Sequence, residues 1–206
     1  MASYFNGAGR LVVFLCDDDR VRRSAIAAKA DRDGAQVVTL GADAPPPAAP
    51  ADADIGVGLV HLHGIVNEPE LSAIGRLAHT GIRVIAYGEH LAAWPLGVRC
   101  RALLAGASAL VDAAHGDLAG HLWTRVQALA EAEAALIRDH RRVEQTFTNL
   151  GIVGVSDAMR ELFRWTLRVS ALSDLPTLIS GESGTGKELF AQAIHRLDPK
   201  LSLIHI

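Results

Sequence analysis

The 206 residues predict an α/β protein: a doubly wound parallel sheet, then a long helix, then the start of a second unit built to hold phosphate. Three observations carry this. Short apolar runs alternate with helical stretches over the first 115 residues, the pattern of parallel strands joined by right-handed crossovers. Residues 116–147 hold no Pro and no Gly beyond Gly116 and Gly120, while Ala, Leu, Glu and Arg dominate. Finally, Gly181-Glu182-Ser183-Gly184-Thr185-Gly186-Lys187-Glu188 stands between an apolar run and a stretch with helical spacing.

The elements follow in order. Leu11-Val12-Val13-Phe14-Leu15-Cys16 is continuously apolar, as a strand buried on both faces must be, and Asp17-Asp18-Asp19 end it. Residues 20–31 read as a helix, with Val21, Ile26 and alanines on one side and Arg20, Arg22 and Arg23 on another. A second strand is expected at 36–40, and then a loop at 42–54 stiffened by Pro45-Pro46-Pro47. Further strands are expected at 56–62, 82–87 and 109–111, with helices at 68–80 and 102–105. In doubly wound sheets the functional crevice lies beyond the carboxyl ends of the strands, so the three aspartates sit where a site would be.

In the long helix, Leu122, Leu129, Leu136, Val143 and Leu150 recur every seven residues, with Val126 and Phe147 in a partial second stripe. A homodimer coiled coil is expected, because a lone helix of this length would expose the stripe. Residues 156–169 form the next helix, with Ser156 as N-cap and Met159, Leu162, Phe163 and Leu167 on its apolar face. Arg160, Arg164 and Arg168 share another face and read as solvated.

The run Leu175-Pro176-Thr177-Leu178-Ile179-Ser180 reads as a strand leading into the glycine loop, and residues 189–195 as the helix leaving it. Glycines at 181, 184 and 186 let successive backbone N–H groups point into one concavity. The helix N-terminus adds its positive dipole end, and Lys187 supplies a mobile charge for β- and γ-phosphates. Position 188 is Glu, where the general pattern has Ser or Thr for Mg²⁺.

Half the residues are apolar, ample for buried cores, and the net charge of −3 gives no basic footprint for nucleic acid. Cys16 and Cys100 match no metal or redox spacing and read as buried, reduced thiols of a cytoplasmic protein. No export signal is evident. The longest apolar run, 55–66, is too short to cross a bilayer and contains His61 and His63. Those two histidines share a strand face and could join the aspartates on a metal, although a solvated strand end is the plainer reading.

Gly-Glu-Ser-Gly-Thr-Gly-Lys-Glu resembles the Walker A of the bacterial enhancer-binding proteins, the NtrC-like AAA+ activators of σ54-dependent transcription. The resemblance covers residues 150–197, about a quarter of the chain. It implies that Gly181, Glu182, Ser183, Gly184, Thr185, Gly186, Lys187 and Glu188 hold the phosphates of ATP, with Mg²⁺, and that Ile152, Val153 and Gly154 line the adenine. The first 115 residues resemble a response-regulator receiver domain, of flavodoxin-like fold. A working receiver needs an acidic pair for Mg²⁺, which Asp17 and Asp18 can fill. It also needs a phosphoacceptor Asp after the third strand, where His61-Leu62-His63-Gly64 stands, and a Ser or Thr after the fourth, where Tyr87-Gly88 stands. A Lys should end the fifth, where the chain has Asp112. Three of these four roles are empty, so the domain is expected to regulate without ordinary Asp phosphorylation.

The expected organisation is thus a degenerate receiver-like domain at 1–115, a linker helix at 116–147, and the N-terminal part of an AAA+ σ54-interaction domain at 148–200. Residues 201–206 depart from the family pattern and read as a truncation scar. By resemblance, the intact protein would bind enhancer DNA, oligomerise, and remodel σ54-RNA polymerase by ATP hydrolysis. This chain lacks the Walker B acids and arginine finger and is expected to be inactive alone. Rival readings make the first domain a sensor of a small effector such as a cyclic dinucleotide, or a constitutive dimerisation platform.

Overall fold

The computed structural model describes residues 9–198, apart from 42, 46, 48–53, 65–66, 115, 155 and 172–175. The tail 201–206, Leu175 and part of the proline loop lie outside the described residues.

Two units can be distinguished, residues 1–135 and 136–206. In the first, the apolar runs become five strands: β1 (Leu11–Cys16), β2 (Gln36–Thr39), β3 (Ile55–His61), β4 (Arg83–Gly88) and β5 (Ala107–Asp112). All neighbours pair in parallel, in the order β2-β1-β3-β4-β5. This is the flavodoxin-like order the sequence led us to expect, with its crevice where the strand order reverses, between β1 and β3. The central strands β1, β3 and β4 are buried almost throughout, which is why their sequences do not alternate.

The connecting helices are α1 (Arg20–Arg32), α2 (Glu68–His79) and α3 (Leu96–Leu104). On one sheet face Phe14, Cys16, Val60, Val84 and Ala86 pack with Ala73, Ile74 and Leu77 of α2 and Ala102 of α3. The alternate residues Val13, Leu15, Val57, Leu59 and Ile85 point the other way and are equally buried. Helix α3 begins six residues before the expected 102–105, because Pro95 presets its entry and no intrahelical N–H is lost there. Cys16 is buried as expected and its thiol is pushed up to about 11, by burial first. Cys100 is exposed, contrary to expectation, because it lies on the outer side of α3.

The long helix α4 runs from Leu118 to Asn149, and the division between the units falls within it. In the first unit Leu122, Trp123, Val126, Ala130 and Ala134 are buried, Trp123 donates its indole N–H to Asp33, and Arg83 pairs with Glu133 at 3.3 Å. In the second, Val143 and Phe147 are buried with Ile152, Phe163, Phe190 and Ala193. Of the heptad stripe, Leu122 and Val143 are thus buried within the chain's own units. Leu129 and Leu150 are half-buried, and Leu136 is 47% exposed.

The second unit contains α5 (Asp157–Ser170) and α6 (Lys187–Leu197). Ser156 caps α5 by accepting a hydrogen bond from the Met159 N–H at 3.2 Å. Phe147 and Phe163 stack with centroids 4.2 Å apart, a contact worth about 1 kcal/mol beyond the area it buries. The strand expected before the glycine loop is not formed: residues 176–182 are irregular, and Leu178 is 92% exposed. Among the described residues this unit has no other strand to pair with, and Pro176 has no N–H to give.

Candidate functional sites

The crevice of the first unit is built by register. Cys16 pairs with Val60 and His61 with Tyr87, so Asp17, His61 and Tyr87 stand in one row at the carboxyl ends of β1, β3 and β4. Asp19 caps α1, accepting from the Arg22 N–H at 2.8 Å, and this places Arg22 in the first turn, over the row. Its guanidinium forks onto Asp17: Nε donates to Oδ2 at 2.9 Å and Nη2 to Oδ1 at 3.0 Å. The Tyr87 hydroxyl donates to Oδ2 at 2.5 Å and the Asp19 N–H to Oδ1 at 2.8 Å. A carboxylate has about four acceptor positions, and all are filled. Burial alone would raise the Asp17 carboxyl, but the Arg22 and Tyr87 hydrogen bonds outweigh it and hold it below the ordinary range. Tyr87 is pushed up, by burial and then by the Asp17 charge.

The three aspartates thus have separate duties. Asp17 is buried and saturated, Asp18 is exposed, and Asp19 is a helix cap. A divalent cation at Asp17 and Asp18 does not fit this arrangement. His61 lies beside the row, with Nδ1 3.4 Å from Arg22 Nη2. Burial first, and then the positive charges of Arg22 and His63, lower its pKa against the pull of Asp17. His63 turns to Glu70, Nδ1 to Oε1 at 2.6 Å. The rings of His61 and His63 meet edge to face, 4.8 Å apart. Among the described residues no group of three or more His, Cys, Asp or Glu is arranged to hold a metal.

The other empty positions are filled as well. At Gly88, where a small hydroxyl was sought, an added Cβ would lie 2.6 Å from the Trp94 ring and 2.8 Å from the Leu62 carbonyl oxygen. Trp94 is thus local packing, as its place before Pro95 suggested. Asp112, where a Lys was sought, accepts backbone N–H groups from His90 at 3.0 Å, Leu91 at 2.9 Å and Ala114 at 2.9 Å. These bonds, Ala114 foremost, lower the Asp112 carboxyl. They also fix a tight turn in which His90 takes φ 54°. Arg22 and Asp112 are the site residues that sequence reasoning missed. Arg22 had a readable signal: it stands five residues past a strand-end Asp, in the first turn of the following helix.

The glycine loop of the second unit is of the opposite kind. Gly184 and Gly186 both take φ 81°, a backbone closed to most other residues, and nothing lies within 4 Å of a Cβ built on Gly184. Gly186 is the N-cap of α6, and Lys187 begins the helix. The Lys187 ammonium donates to the Glu182 carbonyl, and the Thr185 hydroxyl donates to the same oxygen at 2.8 Å. The loop therefore curls around its own lysine with an open concavity, and residues 181–185 are exposed. Such a cradle fits a phosphate group. A cavity of about 460 Å³ adjoins it, lined by Trp165, Leu178, Ile179, Thr185, Lys187 and Ile194 among others. Glu188 and Ser183 are exposed.

Ile152, Val153 and Gly154 are not gathered at this cavity. Ile152 is buried in the unit's core, its N–H bonded to the Phe147 carbonyl at 2.9 Å, while Val153 is 75% exposed. Gly154 lies against Met159, whose Cγ is 2.1 Å from where a Cβ would stand. Along α5, Arg160 pairs with Glu144 at 2.7 Å and Asp157 at 3.1 Å, Arg164 approaches Asp139 at 3.9 Å, and Arg168 lies over the Trp165 ring. The arginine face is paired rather than poised for a ligand.

Residues 152–203 match the family described as the Sigma-54 interaction domain. In this segment the chain is similar to the σ54 activators. The match takes in the glycine loop and runs into residues 201–203. The Nif-specific regulatory protein of Rhodobacter capsulatus is 39% identical over 82 residues, which are 35% of this chain and 14% of that protein. The DNA-binding transcriptional regulator NtrC of Escherichia coli is 45% identical over 60 residues, 29% of this chain and 13% of its own length. The chain thus spans a small part of the relatives it matches. A crystal structure of NtrX from Brucella abortus aligns over 93% of this chain and 41% of that one, at 21% identity and a TM-score of 0.45. No described helix is long and apolar enough to cross a membrane.

Proposed function

We propose that this chain is the regulatory and nucleotide-binding start of a cytoplasmic activator that works on σ54-RNA polymerase. The observation that supports the reading best is the glycine loop at 181–187, open and curled on Lys187, inside the segment that matches the σ54 interaction domain. In this reading residues 181–188 bind ATP as a Walker A. Positive-φ glycines turn backbone N–H groups toward the phosphates, the α6 N-terminus adds its dipole, and Lys187 exchanges the Glu182 carbonyl for a phosphate oxygen. Of Ile152, Val153 and Gly154, the exposed Val153 would be the one to meet the adenine. ATP supplies the phosphoanhydride whose hydrolysis, with Mg²⁺, would drive remodelling of the polymerase. The enhancer-binding and polymerase-contacting steps would fall to other parts of an intact protein.

Residues 1–115 would be the regulatory domain, 116–147 the linker, and 148–200 the beginning of the ATPase. Regulation would not run through phosphorylation of an aspartate, since the crevice spends Asp17 on an internal ion pair and has no Asp at the end of β3.

Titration of the 206-residue chain with a fluorescent ATP analogue tests the nucleotide reading. Saturable binding that is lost in Lys187→Ala supports it, and binding indifferent to that substitution sinks it. Acetyl phosphate treatment tests the regulatory reading: no added mass is expected, and a stoichiometric acid-labile adduct would return the first unit to the ordinary two-component class.

A further inference from the structure

The acidic row of the first unit is electrically complete, and its own side chains complete it. We infer that the Arg22 guanidinium is a built-in cation that occupies the place of a divalent ion, so that the crevice excludes metal for as long as Arg22 is there. The inference rests on the receiver-like reading of this unit and is independent of the σ54 assignment.

Three observations carry it. First, Asp17 is the buried member of the Asp17–Asp19 run, and its four acceptor positions are all used. Two go to the fork of Arg22, one to the Tyr87 hydroxyl and one to the Asp19 N–H. A metal could coordinate Asp17 only by displacing donors that are already charged and oriented. Second, Arg22 is held from several sides. Its Nη1 lies 4.0 Å from Asp19 and 3.9 Å from Glu89, so carboxylates from β1, the α1 cap and the β4 end converge on one guanidinium. An ion of charge two would be suited to such a cluster, and a planar fork satisfies it without dehydrating a metal. Third, the positions around the row are closed to the remaining parts of a phosphoryl site. The Trp94 ring and the Leu62 carbonyl fill the space over Gly88, and Asp112 gives its carboxylate to the backbone of the following turn. A negative charge at position 112 would also repel a phosphoryl group where a cation should receive it.

Removing the guanidinium should uncover the ion site it replaces. The experiment uses the nucleotide-free 206-residue chain and Mn²⁺ as probe, read by the loss of free-ion electron paramagnetic resonance signal and by thermal melting with and without millimolar Mn²⁺. The unaltered chain is expected to bind no Mn²⁺ at this row and to melt at the same temperature in its presence. Arg22→Ala and Arg22→Gln should each melt lower without the ion. Both should regain stability with Mn²⁺ and bind it at least about tenfold more tightly than the unaltered chain. Adding Asp17→Asn to either should abolish the gain, which separates this row from any ion held elsewhere. A variant too unstable to fold alone remains informative, because circular dichroism then reads whether Mn²⁺ restores it. The inference is overturned if the unaltered chain binds Mn²⁺ in a manner lost on Asp17→Asn. It is overturned equally if both Arg22 variants gain neither binding nor stability. The acetyl phosphate measurement addresses the receiver-like reading separately, so failure of one is not failure of the other.

Discussion

The two units each set polar groups just before a helix, α1 in one and α6 in the other, and treat them in opposite ways. In the first, the row at the strand ends is closed by its own side chains: Arg22 neutralises Asp17, Trp94 fills the space over Gly88, and Asp112 ties down a turn. In the second, the loop before α6 is left open, with a lysine whose partner is only a backbone carbonyl. A site loses its ligand chemistry when the protein supplies the complementary charge internally. It keeps that chemistry when its donors are held in place but weakly engaged. The difference lies in who satisfies the charge, and substitutions at either site should show it.

The largest expected effect separates the units altogether. Phe163→Ala removes the ring stacked on Phe147 in the only aromatic cluster of the second unit's described core. It should cost about 3–5 kcal/mol and melt that unit alone. Hydrogen exchange should show protection lost in α5 and α6 and kept in β1, β3 and β4; loss in both would mean the units fold as one. Next comes the closed site. Arg22→Ala leaves the Asp17 carboxylate buried without its cation, and urea denaturation should read a loss of about 3 kcal/mol. A loss within about 0.5 kcal/mol, the range of ordinary surface changes, would show that the ion pair closes nothing.

Lys187→Ala is the matching change at the open site and should divide function from stability. Affinity for an ATP analogue should fall by roughly tenfold or more, since a charge-assisted contact to phosphate is lost. The melting temperature should barely move, because the side chain holds only a loop carbonyl.

Acid should affect the closed site in two steps. The His61 pKa lies below its ordinary 6.5 in the folded chain, so the unfolded chain binds the proton more readily. That contribution to stability is present above pH 6.5 and declines as pH falls below it. The Asp17 carboxyl is also held below its ordinary 3.8, so its contribution is present above that value and is lost as pH falls through the lower, folded one. Stability profiles of His61→Gln and Asp17→Asn should each lack one step. The smallest effect belongs to the open loop. Gly184→Ala meets no neighbour within 4 Å, so it should cost only the strain of a positive φ, about 1 kcal/mol, measured by urea denaturation.

Much of the first unit was legible because its strands are buried on both faces. Val13 to Cys16 and Val57 to Val60 carry buried runs without a charged or polar side chain that only a covered parallel sheet explains. The cap at Ser156 and the glycine spacing at 181–186 were legible for a similar reason, since backbone geometry there restricts the residue type. Three features were hidden. The heptad in α4 reads as a seam between chains, yet Leu122 and Val143 are buried within the chain, and a periodic stripe does not say what covers it. The run before the glycine loop has strand composition, but a strand exists only when another supplies its hydrogen bonds. Arg22 looked like one of several arginines on a helix, and its place in the first turn after a strand-end Asp shows its role only once Asp17 is known to be buried.

The sequence by itself determined the strand and helix order of the first unit, the crevice at the strand ends and the glycine loop, because periodicity and glycine conformations are local properties of the chain. Only the tertiary structure decided that the crevice is sealed and the cradle open. That depends on Arg22 meeting Asp17 and Tyr87, and on Asp112 meeting the turn at His90 and Leu91. Charge complementarity across 70 residues, as between Tyr87 and Asp17, is set by register and packing, and no local pattern records it.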